Sequence, residues 1–186
     1  RDWSSDVCSS DLVQSEAGPI VFYRDHTPEQ IRDMYAVRQQ QGQWLPPKLV
    51  YNDGWEIHGC PVNGAKAVSN GERVAVVWYT GAEGRPRVKL TWSNDSGENF
   101  GEPIDIDGIS PAGPVGRLGL VMTPRGEAIV SWVAQLGSDN TASLLLRRVG
   151  ESRALGDYFK VAEVGADRST GIPQLALLDN TLFLAW

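Results

Sequence analysis

Apolar positions in this chain gather in short runs rather than in helical stripes, and four of those runs end on or beside an aromatic residue. "IVFYRD" holds Tyr23, "AVVWYT" holds Trp78, "IVSWVA" holds Trp132 and "LFLAW" holds Trp186. The steps between them are 55, 54 and 54 residues (78 − 23, 132 − 78, 186 − 132). Such even self-similarity is the mark of a repeat architecture and takes precedence over any local reading.

Each interval carries the same order of strand signals. "AKAVSNGERVAVVWYT" reads as two strands joined at Asn70-Gly71, a strong hairpin dipeptide. "RVKLTWS" follows as a third strand, "SNDSGENF" as a turn and "FGEPIDI" as a fourth strand. The next interval runs "GRLGLVMTPRG", "EAIVSWVAQ", "ASLLLRRV" and "YFKVAEV". "TPEQIRDMY" could open a short helix with a capping box, but the repeat demands a loop leading into a third strand there. A four-stranded antiparallel unit recurring at this period predicts an all-β fold, a β-propeller. A β-sandwich also has short strands and turns, yet it does not predict equal steps with an aromatic at each equivalent place. The expected blades are 18–51 (last three strands only), 61–108, 114–165 and the opening strands of a fourth at 170–186. The repeated aromatics are expected to fill the space between neighbouring sheets.

Composition adjusts this picture at the N-terminus. "DWSSDVCSSDL", Asp2 to Leu12, resembles one translated frame of the reverse complement of a common short-read sequencing adapter. Residues 1–12 are therefore set aside as an adapter-derived scar, and 13–186 as the partial propeller. Of the two cysteines, Cys8 falls in the scar, so Cys60 has no partner for an internal disulfide. Without the scar, 20 acidic residues face 16 basic ones, a net charge of −4 against −6 for the whole chain. That mild acidity argues against a nucleic-acid partner, and no apolar run approaches the ~20 residues of a membrane span.

"SNDSGENF" crowds hydroxyls, amides and carboxylates round one glycine, yet it reads as a turn. Ser and Asp side chains bond their own turn backbone, Gly permits positive φ, and the aromatic anchors the hairpin. Its spacing, Ser93-x-Asp95-x-Gly97-x-x-Phe100, resembles the Asp-box of the sialidase (neuraminidase) superfamily, the bacterial-neuraminidase repeat. "RQQQGQW", with Gly42 and Trp44, and "RRVGESRALGDYF" are worn copies. "IVFYRDHTPEQIRDMYAVRQQQGQW" is similar to the first blade of bacterial exo-α-sialidases, where a strand ends in Arg and the next loop carries the catalytic acid. The resemblance covers about the first half of a six-bladed propeller and implies a bacterial, periplasmic or secreted glycoside hydrolase acting on sialoglycoconjugates.

Propeller topology then sorts the polar residues. Loops joining strands two and three, and those joining blades, share the channel face; the Asp-box turn lies on the other. The channel face is expected to hold Arg24, Asp25, His26, Glu29, Arg32 and Asp33, then Asp53, Trp55, Glu56, His58, Cys60 and Asn63, with Arg117 and Arg168 beyond. By resemblance, Asp25 is the first candidate acid/base and Asp33 the second. Arg24, Arg32, His58, Asn63 and Arg117 are the candidate substrate contacts, since a guanidinium fork matches a carboxylate. The family's nucleophile is a tyrosine assisted by Glu, and the remaining arginines come from parts of the propeller expected outside this sequence, so the fragment alone is not expected to turn over substrate. The competing class is a non-catalytic propeller that binds glycans or proteins. His58 and Cys60 beside Glu56 fall short of the three or four ligands a metal needs, so neither a metal nor a cofactor is expected.

Overall fold

The computed structural model describes residues 10–59, 61–137, 141–150, 152–167 and 170–186. Cys8, Cys60 and Arg168, named above, lie outside the described residues. Strands account for the architecture, with a short 3-10 turn at Ala82–Gly84.

The first sheet contains β1 (Ser10–Ser15), β2 (Gly18–Arg24), β3 (Met34–Gln40), β4 (Gln43–Trp44) and β5 (Lys48–Tyr51). β4 and β5 both pair with β3 and share the role of one outer strand. Pro46 and Pro47 separate them, because proline has no N–H to give to a ladder. The second sheet is β6 (Lys66–Asn70), β7 (Arg73–Thr80), β8 (Arg87–Ser93) and β9 (Ile104–Asp105). The third is β10 (Pro114–Met122), β11 (Ala128–Ala134), β12 (Thr141–Val149) and β13 (Leu155–Gly165), and β14 (Gln174–Leu178) with β15 (Thr181–Ala185) forms the fourth. All are antiparallel meanders in chain order. Their opening strands touch in succession, β1 on β6, β6 on β10 and β10 on β14, which places those strands round a common axis.

The first sheet begins earlier than expected. Ser10, Asp11 and Leu12 pair with Tyr23, Phe22 and Val21, and Asp11 Oδ2 accepts the Ala67 amide at 2.7 Å. The expectation of three strands starting at residue 18 is corrected to a sheet that opens at Ser10. A ladder is made by backbone groups, so a segment set aside on its side-chain sequence can still supply a strand.

The β6–β7 hairpin is also shifted by one residue. Asn70 pairs with Arg73, so the two loop residues are Gly71 and Glu72, with Gly71 at φ 64° in the first position. A glycine-first two-residue loop suits the right-handed twist of the strands it joins. "TPEQIRD" is a loop that leads into β3 at Met34, as the repeat required.

Cores lie between sheets. Trp78 is buried with Ile20, Phe22, Met34 and Val76 between the first and second sheets; Trp132 is buried with Leu90, Trp92, Leu120 and Val130 between the second and third. Each tryptophan thus packs against the preceding sheet. Trp186 does not follow them: it is 59% exposed, one residue past the end of β15, which pairs with β14 alone. No strand lies on the outer side of β15 among the described residues to bury it.

The "SNDSGENF" turn is built from its own side chains. Ser93 Oγ accepts from the amides of Asp95 (3.2 Å) and Gly97 (2.8 Å) and donates to Asp95 Oδ1 (2.6 Å). Asp95 accepts in turn from the amide (2.8 Å) and side chain (2.9 Å) of Asn99. Gly97, at φ 78°, also lies so close to the first sheet that a Cβ would stand 2.6 Å from Ile20 Cδ1. Phe100 meets Phe22 edge-on at 5.8 Å.

Candidate functional site

Register fixes which loops share an end. Arg24 pairs with Met34 and Met34 with Tyr51, while Thr80 pairs with Arg87 and Pro114 with Ala134. The described segments 25–33, 52–59, 61–65, 81–86, 106–113, 166–167 and 170–173 therefore emerge together. The turn that begins at Ser93 lies at the other end.

Two of these segments are zipped to each other. The Arg32 amide donates to the Trp55 carbonyl (2.9 Å) and the Ile57 amide to the Gln30 carbonyl (3.0 Å), round an Ile31–Glu56 bridge. Asp33 Oδ1 accepts the Gly54 amide at 2.8 Å. Asp33 is thus engaged in tying the loops together. Asp25 is different: its amide bonds the Asp33 carbonyl (3.1 Å), and its half-buried carboxylate has no hydrogen-bond partner among the described residues. His26 sits beside it, with Nε2 2.9 Å from Gln30 Oε1.

Beneath this surface lies a buried ion pair. Arg24 Nη1 donates to the Arg32 carbonyl (2.6 Å) and to Asp53 Oδ2 (3.3 Å), and Nη2 donates to the Tyr79 carbonyl. The two side chains are 4% and 0% exposed. Trp78 Nε1 donates to the same Asp53 oxygen at 2.8 Å, and the Arg24 guanidinium lies 4.9 Å from the Trp55 ring. Trp55 meets Tyr79 edge-on at 5.6 Å. Burial pushes the Asp53 carboxyl above its ordinary value and lowers that of Arg24, against the attraction between them. Burial also raises the Tyr79 phenol.

This arrangement revises the expectation for Arg24. Its terminal nitrogens are taken by the Arg32 carbonyl, Asp53 and the Tyr79 carbonyl of β7, so it ties the first sheet to the second and does not present a fork to a ligand. Arg32, only 6% exposed, is likewise turned inward. Sequence reasoning placed Asp53 on this end of the molecule but missed its role. The available signal was Trp78, since a buried indole N–H needs an acceptor.

Asn63 and Arg117 form a second group farther along the same end. Asn63 Nδ2 donates to the Val115 carbonyl and its Oδ1 accepts the Arg117 amide, both at 2.9 Å. Bulges in β10 flank Gly116, and Arg117 follows at φ 57°. Bulges re-aim side chains in this way. The guanidinium donates to the carbonyls of Asp167 and Ala166, and Nη1 has no partner among the described residues. It borders a cavity of about 350 Å³ walled by Val62 and Ile172. His58 stands apart, exposed and 3.3 Å from Glu56. Among the described residues, no group of three His, Cys, Asp or Glu side chains could hold a metal ion, and no helix is long and apolar enough to cross a membrane.

No protein-family model matches the sequence, and no curated protein matches it. Solved structures do. A xylan β-1,4-xylosidase from Bacillus halodurans C-125 superposes with a TM-score of 0.59 at 12% identity, over 96% of this chain and 36% of its own. The Hadza microbial sialidase Hz136 gives 0.56 at 16% identity, over 94% and 40%. A Bombyx mori GH32 β-fructofuranosidase, BmSUC1, gives 0.55 at 16% identity, over 93% and 39%. The fold is that of a β-propeller. The chain spans well under half the length of each of these three glycosidases, and its four sheets are successive blades of such a propeller. Three different sugar specificities on one scaffold show that the fold does not choose the substrate.

Proposed function

We propose that this chain is part of a sialidase-like glycoside hydrolase that acts on terminal sialic acid or a related acidic glycan with retention of configuration. The reading rests on one observation, the Asp25 carboxylate, unpartnered among the described residues, in the loop after the second strand of the first sheet. Asp25 serves as the acid/base: it protonates the leaving glycosidic oxygen and then takes a proton from the attacking water. Asp33, bonded to the Gly54 amide, holds the loop that carries it. Arg117, which lines a cavity with Val62 and Ile172, is the guanidinium assigned to a substrate carboxylate. Asn63 positions it, and His58 forms an outer contact. The nucleophile is not assigned to a residue of this chain.

A second reading, a propeller that binds glycans without cleaving them, draws support from the inward-turned Arg24 and Arg32, which leave fewer cations for a transition state. Release of the fluorophore from a fluorogenic sialoside by the full-length protein separates the two. The hydrolase reading expects Asp25→Ala to lower turnover by about 10²–10⁴-fold with thermal unfolding unchanged. Equal turnover in the variant would remove Asp25 from the mechanism, and no turnover in the parent would favour binding alone.

A further inference from the structure

The three blades with a third-to-fourth-strand turn can be aligned on their ladders. Ile20 pairs with Arg38, Val74 with Ser93 and Ala128 with Val149, and the first members of these pairs are 54 residues apart. Four residues past each second member stand Gly42, Gly97 and Arg153, at φ 79°, 78° and 68°. One left-handed position recurs in all three blades. Two blades fill it with glycine, the residue that adopts this backbone without steric cost; the third fills it with arginine.

Arg153 is held there by a tight turn, its amide donating to the Gly150 carbonyl at 2.9 Å. Its guanidinium crosses to the second blade and donates to the Glu102 carbonyl. There it borders a cavity of about 410 Å³ on the Asp-box face, which Arg73, Trp92, Asn94 and Asn99 also line. Trp92 is 7% exposed and its indole N–H has no acceptor among the described residues. Asp95, whose carboxylate is engaged by Ser93 and Asn99, and the exposed Glu102 line it too. Its lining thus combines two guanidinium groups, the Asp95 and Glu102 carboxylates, side-chain amides and the Trp92 and Phe100 rings.

We infer that this cavity is a binding site for the carboxylate of an acidic monosaccharide, with Arg153 and Arg73 meeting the anion and Trp92 and the asparagines meeting the ring and its hydroxyls. It lies at the opposite end of the sheets from Asp25, and it does not rest on the hydrolase reading. Arginine forks favour carboxylates, and an unanswered buried donor gains most from an oxygen-rich ligand. A left-handed arginine where glycine would serve indicates a side chain kept for what it reaches.

The test is an NMR titration of the full chain with D-glucuronate, D-glucose and acetate, following the Trp92 indole N–H, assigned with Trp92→Phe. Glucuronate is expected to shift that signal saturably, with glucose and acetate each at least about tenfold weaker. Arg153→Gln is expected to weaken glucuronate by about tenfold. Arg153→Gly, which relaxes the backbone, is expected to unfold at the same or a higher temperature and to lose binding as well. The inference is overturned by an absent or non-saturating shift, by glucose or acetate matching glucuronate, or by unchanged binding in Arg153→Gln. An Arg153→Gly protein that unfolds at a lower temperature and still binds would likewise overturn it.

Discussion

The indole N–H of Trp78 donates to Asp53 Oδ2 at 2.8 Å, and that same oxygen faces the Arg24 guanidinium at 3.3 Å. One carboxylate oxygen therefore serves a residue from each of two blades, while Asp53 itself comes from the segment connecting them. The other oxygen, Oδ1, is buried without a partner among the described residues.

Removing that carboxylate strands a buried cation. Asp53→Ala is expected to lower unfolding stability by about 3–5 kcal/mol, because a broken buried pair costs more than the pair contributes. Arg24→Met combined with Asp53→Leu is expected to recover most of the loss. Urea unfolding of the two variants measures both, and a cost below about 1 kcal/mol for Asp53→Ala would show that water reaches Arg24.

Gly116 faces the Asn63 amide so closely that a Cβ would stand 2.4 Å from Nδ2, and its φ is 100°. Gly116→Ala is expected to cost about 2–3 kcal/mol, from the left-handed backbone and from displacement of Asn63. Asn63→Ala is expected to cost about 1–2 kcal/mol through its two bonds. Since the first change already breaks what the second removes, the double variant should fall short of the sum. Full additivity in thermal unfolding would mean that the two residues act separately.

Asp95 predicts a pH response at the Ser93–Phe100 turn. Burial alone would push its carboxyl up, but hydrogen bonds from Ser93, from Asn99 and from the Glu98 amide outweigh burial and hold it down at about 2. The folded value is below the unfolded one of about 3.9, so this contribution is complete above that pH and is lost as pH falls towards 2. Asp95→Asn should flatten the decline in stability between about pH 4 and 2 while leaving any activity at the Asp25 face unaltered. An unaltered slope in acid titrations of the unfolding midpoint would remove Asp95 as its source.

Much of the fold was legible because the repeat is written in buried residues. Trp78 and Trp132 are fully enclosed, and their spacing alone located two blade interfaces. The turn at Ser93–Phe100 was legible because its hydrogen bonds run between near neighbours in sequence. The opening strand was not, since backbone pairing leaves no trace in side-chain identity. Nor was the burial of Arg32 or the inward turn of Arg24, which depends on carbonyl groups of residues in other segments. Asp25 was singled out by position and resemblance; that its carboxylate lacks a partner among the described residues only coordinates could show.

The ties between blades share one property. Asp11 to Ala67 spans 56 residues, Arg24 to Tyr79 spans 55, Asn63 to Arg117 spans 54 and Arg153 to Glu102 spans 51. Each reaches one repeat along the chain and no farther. Assembly can then advance like a zip, every blade locking onto its predecessor once about fifty residues more have left the ribosome, with nearest-neighbour coupling in place of a distant nucleus.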